Sequence, residues 1–114
     1  MQIDPATHLI KGVEYIPSPN MDDRPEGADI NLLVIHSISL PPGQFGGNSI
    51  AQLFTNSLPP DEHPYFREIH QLEVSAHVLI RRDPVQHQYL LHQVAESIDP
   101  FAKLLQRMSG LVGF

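Results

Sequence analysis

An α/β fold is what this chain predicts, on three observations. Residues 30–36, Ile30-Asn31-Leu32-Leu33-Val34-Ile35-His36, contain four consecutive apolar residues, two of them β-branched, as in a buried strand. Residues 74–82 alternate, with Val74, Ala76, Val78 and Ile80 against Ser75, His77, Leu79 and Arg81, as in a second strand. Between them lie two segments with apolar residues at helical spacing. Strands connected through helices are the pattern of crossover units. Residues 30–36 and 74–82 are therefore expected to pair in one sheet, with a 48–56 helix against it.

Taken in order, residues 1–12 have no clear period and read as a mobile or loosely packed arm. Val13-Glu14-Tyr15-Ile16 alternates weakly, enough for a short edge strand, and residues 17–27 are loop. After the 30–36 run, Pro41-Pro42-Gly43 must leave the sheet, because proline cannot donate to a ladder. Residues 41–47 hold three glycines and suit close backbone approach. Asn48 can cap a helix reaching about Asn56, with Ile50, Leu53 and Phe54 on one face. Pro60 or Asp61 opens a second helical segment carrying Tyr65, Phe66, Ile69 and Leu72. Residues 85–91 fit a strand or part of a helix equally well. Asp99-Pro100 is a helix start, Phe101, Leu104, Leu105 and Met108 recur at helical spacing, and Gly110 is a stop. That stripe reads as packing rather than as a ligand box. There is no internal repeat.

Composition narrows the function. With 114 residues the chain holds at most one small domain. A net charge of -6 argues against nucleic acid, which wants a basic face, and Arg81-Arg82 is the one basic pair. There is no cysteine, so a zinc site could use only His, Asp or Glu. The start, Met1-Gln2-Ile3-Asp4-Pro5, lacks a basic n-region and a long apolar stretch, which argues against a secretory signal and a membrane span. A cytoplasmic protein is the simplest expectation.

His36 is the most informative residue. It stands where a rigid strand opens into a proline-rich loop, a position that combines stiffness with access to solvent. That suits a metal ligand or a base, although by itself it fits a strand-capping histidine better. The other histidines carry less. His77 falls mid-strand and reads as a hydrogen-bonded structural residue. His87 and His92, five apart, share a face of neither a helix nor a strand. His63 and His70 could lie two turns apart on a helix, but His63 precedes Pro64 and a surface role fits better. His8 lies in the arm. Asp22-Asp23 and Asp61-Glu62 read as solvated loop or helix-start carboxylates.

Several blocks together resemble the AmpD-type anhydromuramyl-peptide amidases, of the N-acetylmuramoyl-L-alanine amidase type 2 family. They are Ser18-Pro19-Asn20, Asp23-Arg24-Pro25, the run from Leu32 through His36 and Pro41-Pro42-Gly43 to Phe45-Gly46-Gly47, His63-Pro64-Tyr65-Phe66, and Val74-Ser75-Ala76-His77-Val78-Leu79-Ile80-Arg81-Arg82-Asp83. Their order and spacing also match, over about residues 13–83. The resemblance implies a mixed sheet flanked by helices, here an incomplete amidase type 2 domain. Residues 1–12 would be its N-terminal arm and 84–114 a divergent tail with a C-terminal helix. It implies a cytoplasmic zinc hydrolase that cuts the amide between anhydro-N-acetylmuramic acid and L-alanine in peptidoglycan recycling. The substrate would be an anhydromuramyl-peptide, with neither nucleic acid nor membrane as partner.

Of the family's three zinc ligands, the resemblance carries only the first over, to His36. The second, in a Gly-His-x-Asp block, the third, near an Asp-Pro-Gly block, and the acid-base glutamate have no counterpart here. Asp99-Pro100 continues with Phe101, not glycine, and is not matched to the third ligand. The likeness stops at Arg82-Asp83-Pro84, where the family has Arg-Asp-Gly. That pattern is what truncation or a reading-frame change gives. Ser37 replaces a frequent asparagine, and Glu73 replaces a basic residue expected to meet a substrate carboxylate. The expectation is a chain inactive alone, with Leu33, Ile35, Val78 and Ile80 partly uncovered. The alternative is a non-catalytic remnant or a muropeptide- or partner-binding module.

Overall fold

The computed structural model describes residues 2–7, 9–22, 25–29, 31–82 and 89–93. Five short elements run in the order β1 (Glu14–Tyr15), α1 (Ser49–Phe54), α2 (Pro64–Ile69), β2 (Val78–Arg82) and β3 (Tyr89–Gln93). The strands form one sheet in the order β1-β3-β2. β1 runs parallel to β3, with Glu14 opposite His92, and β2 runs antiparallel to it, from Val78 opposite Gln93 to Arg82 opposite Tyr89. The weak alternation at 13–16 contains the short strand β1, and of the 85–91 segment that fitted strand or helix, residues 89–91 are strand while 85–88 lie outside the described residues. The expected tail helix lies outside the described residues.

The largest departure concerns residues 30–36. Among the described residues, 31–39 carry no regular structure and join no ladder. The expected pairing with 74–82 is replaced by pairing of β2 with β3. Leu32, Val34 and Ile35 are 69%, 61% and 73% exposed. The apolar run has strand-forming residues, but a strand exists only through a neighbour's hydrogen bonds, and among the described residues none pairs with it. The 74–82 segment also starts later than its alternation suggests, at Val78, and it turns Leu79 into the core while Ile80 stays outside.

The core sits between the helices and one side of β2. Leu40, Leu53, Phe54, Leu58, Phe66 and Leu79 are buried together, with Ile50, Ile69 and Ala76 packed on them. Helix α1 presents Leu53 and Phe54 as its spacing predicts, although Asn48 makes no side-chain cap. Helix α2 begins later than Pro60 or Asp61. Its cap is His63, whose Nδ1 accepts from the Tyr65 N–H at 3.0 Å, and Pro64 fits the first turn, where no donor is needed. Residues 2–11 fold back on themselves through Asp4 N–H to the Leu9 carbonyl and Lys11 N–H to the Gln2 carbonyl, both 2.8 Å, and Ile10 is buried.

Two substitutions test this core. Phe66 is 2% exposed, so Phe66→Ala is expected to cost about 3–5 kcal/mol through lost burial and a cavity. Phe45, 82% exposed, should tolerate alanine within about 0.5 kcal/mol. Urea unfolding of both variants measures the contrast, and equal losses would show that the core lies elsewhere.

Candidate functional site

His36 stands exposed in the middle of the 31–39 segment. Its surroundings are fixed a few residues downstream. Leu40 is buried in the core, which pins the chain just past the histidine. The Ser39 hydroxyl accepts from the Gly43 N–H at 2.8 Å, and the Pro41 carbonyl accepts from the Gln44 N–H at 2.9 Å. Gly43 has φ of 78°, in the left-handed region, so the tight turn under Ser39 needs glycine there. The far end of the loop is held from β2, where Arg81 Nη1 donates to the Gly47 carbonyl at 3.1 Å. Residues 39–47 therefore form a rim tied to the core at one end and to the sheet at the other.

A second framework lies at the C-terminal end of α1. The Ser18 hydroxyl, buried, donates to the Phe54 carbonyl at 2.6 Å and accepts from the Asn20 N–H. The Asn20 amide donates to the Phe54 carbonyl, to Asn56 Oδ1 at 2.8 Å and to the Val74 carbonyl at 3.0 Å. Asn56 Nδ2 donates back to Asn20 Oδ1 at 2.9 Å. One asparagine thus joins the 17–22 loop, the end of α1 and the approach to β2. Asn56 has φ of 61° and closes α1 in a Schellman motif: its N–H donates to the Leu53 carbonyl and the Ser57 N–H to the Gln52 carbonyl. This pair escaped the sequence reading. An asparagine just past a helix face is a left-handed C-terminal signal, but nothing local announces its partner thirty-six residues away.

The other candidates are dispersed. His77 is exposed and precedes β2, so it does not occupy mid-strand as its alternation suggests. His63 caps α2 and tilts against Phe66 with ring centroids 5.5 Å apart, and His70 is the C-cap of the same helix. His92 lies in β3. His8, Asp23, His87 and Asp99 lie outside the described residues. Asp22, Ser37, Asp61, Glu62 and Glu73 are exposed. Arg67 and Asp61 approach to 3.9 Å, both largely in water, a pair worth little. Among the described residues no three His, Asp or Glu groups gather to hold a metal ion. A catalytic zinc takes three protein ligands, so the described part of the chain does not by itself fit one. Among the described residues no helix is long and apolar enough to cross a membrane.

The asparagine pair is testable by a short series. Asn56→Gly keeps the left-handed turn and loses only the two side-chain bonds with Asn20, for an expected cost of about 0.5–1.5 kcal/mol. Asn56→Ala loses the turn as well and should cost roughly 1–2 kcal/mol more. Thermal unfolding ranks them, and a glycine variant as damaged as the alanine variant would remove the backbone argument.

Comparison with known proteins places these features. No family model matches the chain. It is 56% identical over 75 residues to the 1,6-anhydro-N-acetylmuramyl-L-alanine amidase AmpD of Salmonella typhimurium LT2, and 53% over 79 residues to that of Escherichia coli K12. It is 51% identical over 82 residues to that of Haemophilus influenzae. These stretches are 66–72% of this chain, and the chain spans only 40–45% of the length of these relatives. A crystal structure of a selenomethionine AmpD derivative superposes with a TM-score of 0.73 at 44% identity, covering 84% of this chain and 50% of that one. Over about two thirds of its length this chain is similar in sequence to AmpD-type amidases, and over 84% of it in backbone to one of them.

Proposed function

We propose that the chain carries the first-ligand portion of an AmpD-type amidase domain. In this reading the complete domain hydrolyses the amide between anhydro-N-acetylmuramic acid and L-alanine during peptidoglycan recycling. The observation that carries it is identity of 51–56% to amidases of that name over two thirds of the chain. His36 is offered as the zinc ligand that this portion supplies, on the Leu-Leu-Val-Ile-His block whose resemblance to the family singles it out. The rim at 39–47 would keep that segment's exit fixed. When bound, the zinc would polarise the scissile carbonyl and activate water. Among the described residues no three His, Asp or Glu groups gather to hold a metal ion, so the steps of the reaction fall to the complete domain.

A non-catalytic reading of the chain by itself has one observation in its favour, the dispersal of the His, Asp and Glu groups among the described residues. The two readings differ in one assay. Purified chain with added zinc is expected to release no peptide from anhydromuramyl-peptide. A single polypeptide in which residues 13–83 replace the matching segment of the Escherichia coli K12 relative is expected to turn over. His36→Ala should bring that chimera to background. Turnover by the chain alone, lost in His36→Ala, would overturn the division of labour, and an active His36→Ala chimera would remove His36 as ligand.

Glu73 gives a second prediction. It is exposed and acidic where the family resemblance implies a basic residue facing a substrate carboxylate. In the chimera, Glu73→Arg is expected to raise kcat/KM about two- to fivefold, as suits an exposed ion pair of roughly 0.5–1 kcal/mol. The gain should shrink at high salt. An unchanged value at low salt would show that residue 73 does not meet the substrate.

A further inference from the structure

We infer that Arg81 is a positioning residue for the substrate: through the Gly47 carbonyl it holds the loop that follows His36 in one shape. The inference rests on the amidase reading of the complete domain. It starts from the period of β2. Successive residues of a strand face opposite ways, so Arg81 shares the side of buried Leu79, while Ile80 faces outward. An arginine on the core side, two residues past Leu79, carries its guanidinium along the edge of the core. There Nη1 donates to the Gly47 carbonyl at 3.1 Å. Its Nε is buried and meets no acceptor among the described residues. A buried donor without a partner lowers stability, and an apolar residue would avoid that loss. Stability alone therefore does not account for an arginine here.

The loop it reaches needs an external hold. Gly43, Gly46 and Gly47 have φ of 78°, 88° and 72°, and glycine backbone is the least restrained of any. Buried Leu40 and the bond between Ser39 and Gly43 fix the end near His36. Arg81 supplies the fixed point at the other end, directly before Asn48 and α1. Between the two, Phe45 is 82% exposed. A loop held at both ends offers a substrate one surface. Held at one end it offers many, and binding must then order it.

The test uses the single-chain chimera, whose turnover with Arg81 intact decides the amidase reading separately. Arg81→Met keeps the apolar stem and removes every donor, and it is expected to raise KM about tenfold with kcat within about twofold. Arg81→Lys keeps one donor and is expected to bring KM back to within about threefold of the unsubstituted chimera. Cleavage by chymotrypsin after Phe45 reads the hold without turnover, and Arg81→Met is expected to speed it about tenfold. A fall in kcat and Tm together at unchanged KM would make Arg81 structural only and overturn the inference. So would an unchanged KM with unchanged cleavage. A chimera without turnover overturns the amidase reading and the substrate role together, which is told apart from an active chimera whose KM ignores Arg81. Should Arg81→Met fail to fold, Arg81→Gln, polar but too short to reach the Gly47 carbonyl, carries the same expectations.

Discussion

The Phe54 carbonyl is the point on which the described fold turns. It lies at the end of a six-residue helix, where the last carbonyls have no partner within the helix. Ser18 and Asn20 approach it from a loop more than thirty residues earlier, and Asn20 continues to the Val74 carbonyl. Without these bonds a buried acceptor beside Leu53 and Phe54 would be left unpaired, at a cost comparable to a lost core methylene or two. With them, a segment without regular structure is tied to the helix and to the approach to β2. Helices as short as α1 and α2 are not stable by themselves. What holds them is the shared burial of Leu53, Phe54 and Phe66, and the asparagine framework keeps the chain around that burial in one arrangement.

How much of this was legible depends on whether the cause is local. The faces of α1 and α2 are, because spacing along one helix selects which residues point inward, and Leu53, Phe54 and Phe66 are buried. The edge strand at Glu14–Tyr15 is legible for the same reason. The start of α2 is harder. A proline at either 60 or 64 could open a helix, and the choice falls to His63 because its ring nitrogen can accept from Tyr65. The expected pairing of 30–36 with 74–82 is not found among the described residues. Apolar runs report that a strand wants burial but not which strand will lie beside it, and β2 takes β3 as its neighbour.

The site divides in the same way. His36 is singled out by its position between an apolar run and Pro41-Pro42-Gly43, a local pattern reinforced by a block resemblance. The tether from Arg81 to the Gly47 carbonyl could not be read from sequence, since it joins two segments thirty-four residues apart. Mid-strand placement of His77 was overstated. The alternation through Val74 and Ala76 is real, but the backbone becomes a strand only where β3 is present to bond it, from Val78 onward.

Ladder pairing also explains why the unpaired run and the dispersed ligands belong together. A zinc ligand at the end of a strand is oriented by that strand's neighbours, because the pleat decides which way its side chain projects. With 31–39 outside any ladder among the described residues, no ladder bond among them orients His36, although Leu40 holds the chain beyond it. A polypeptide that pairs with 31–36 would therefore do two things at once. It would cover Leu32, Val34 and Ile35, and it would set the pleat that aims His36.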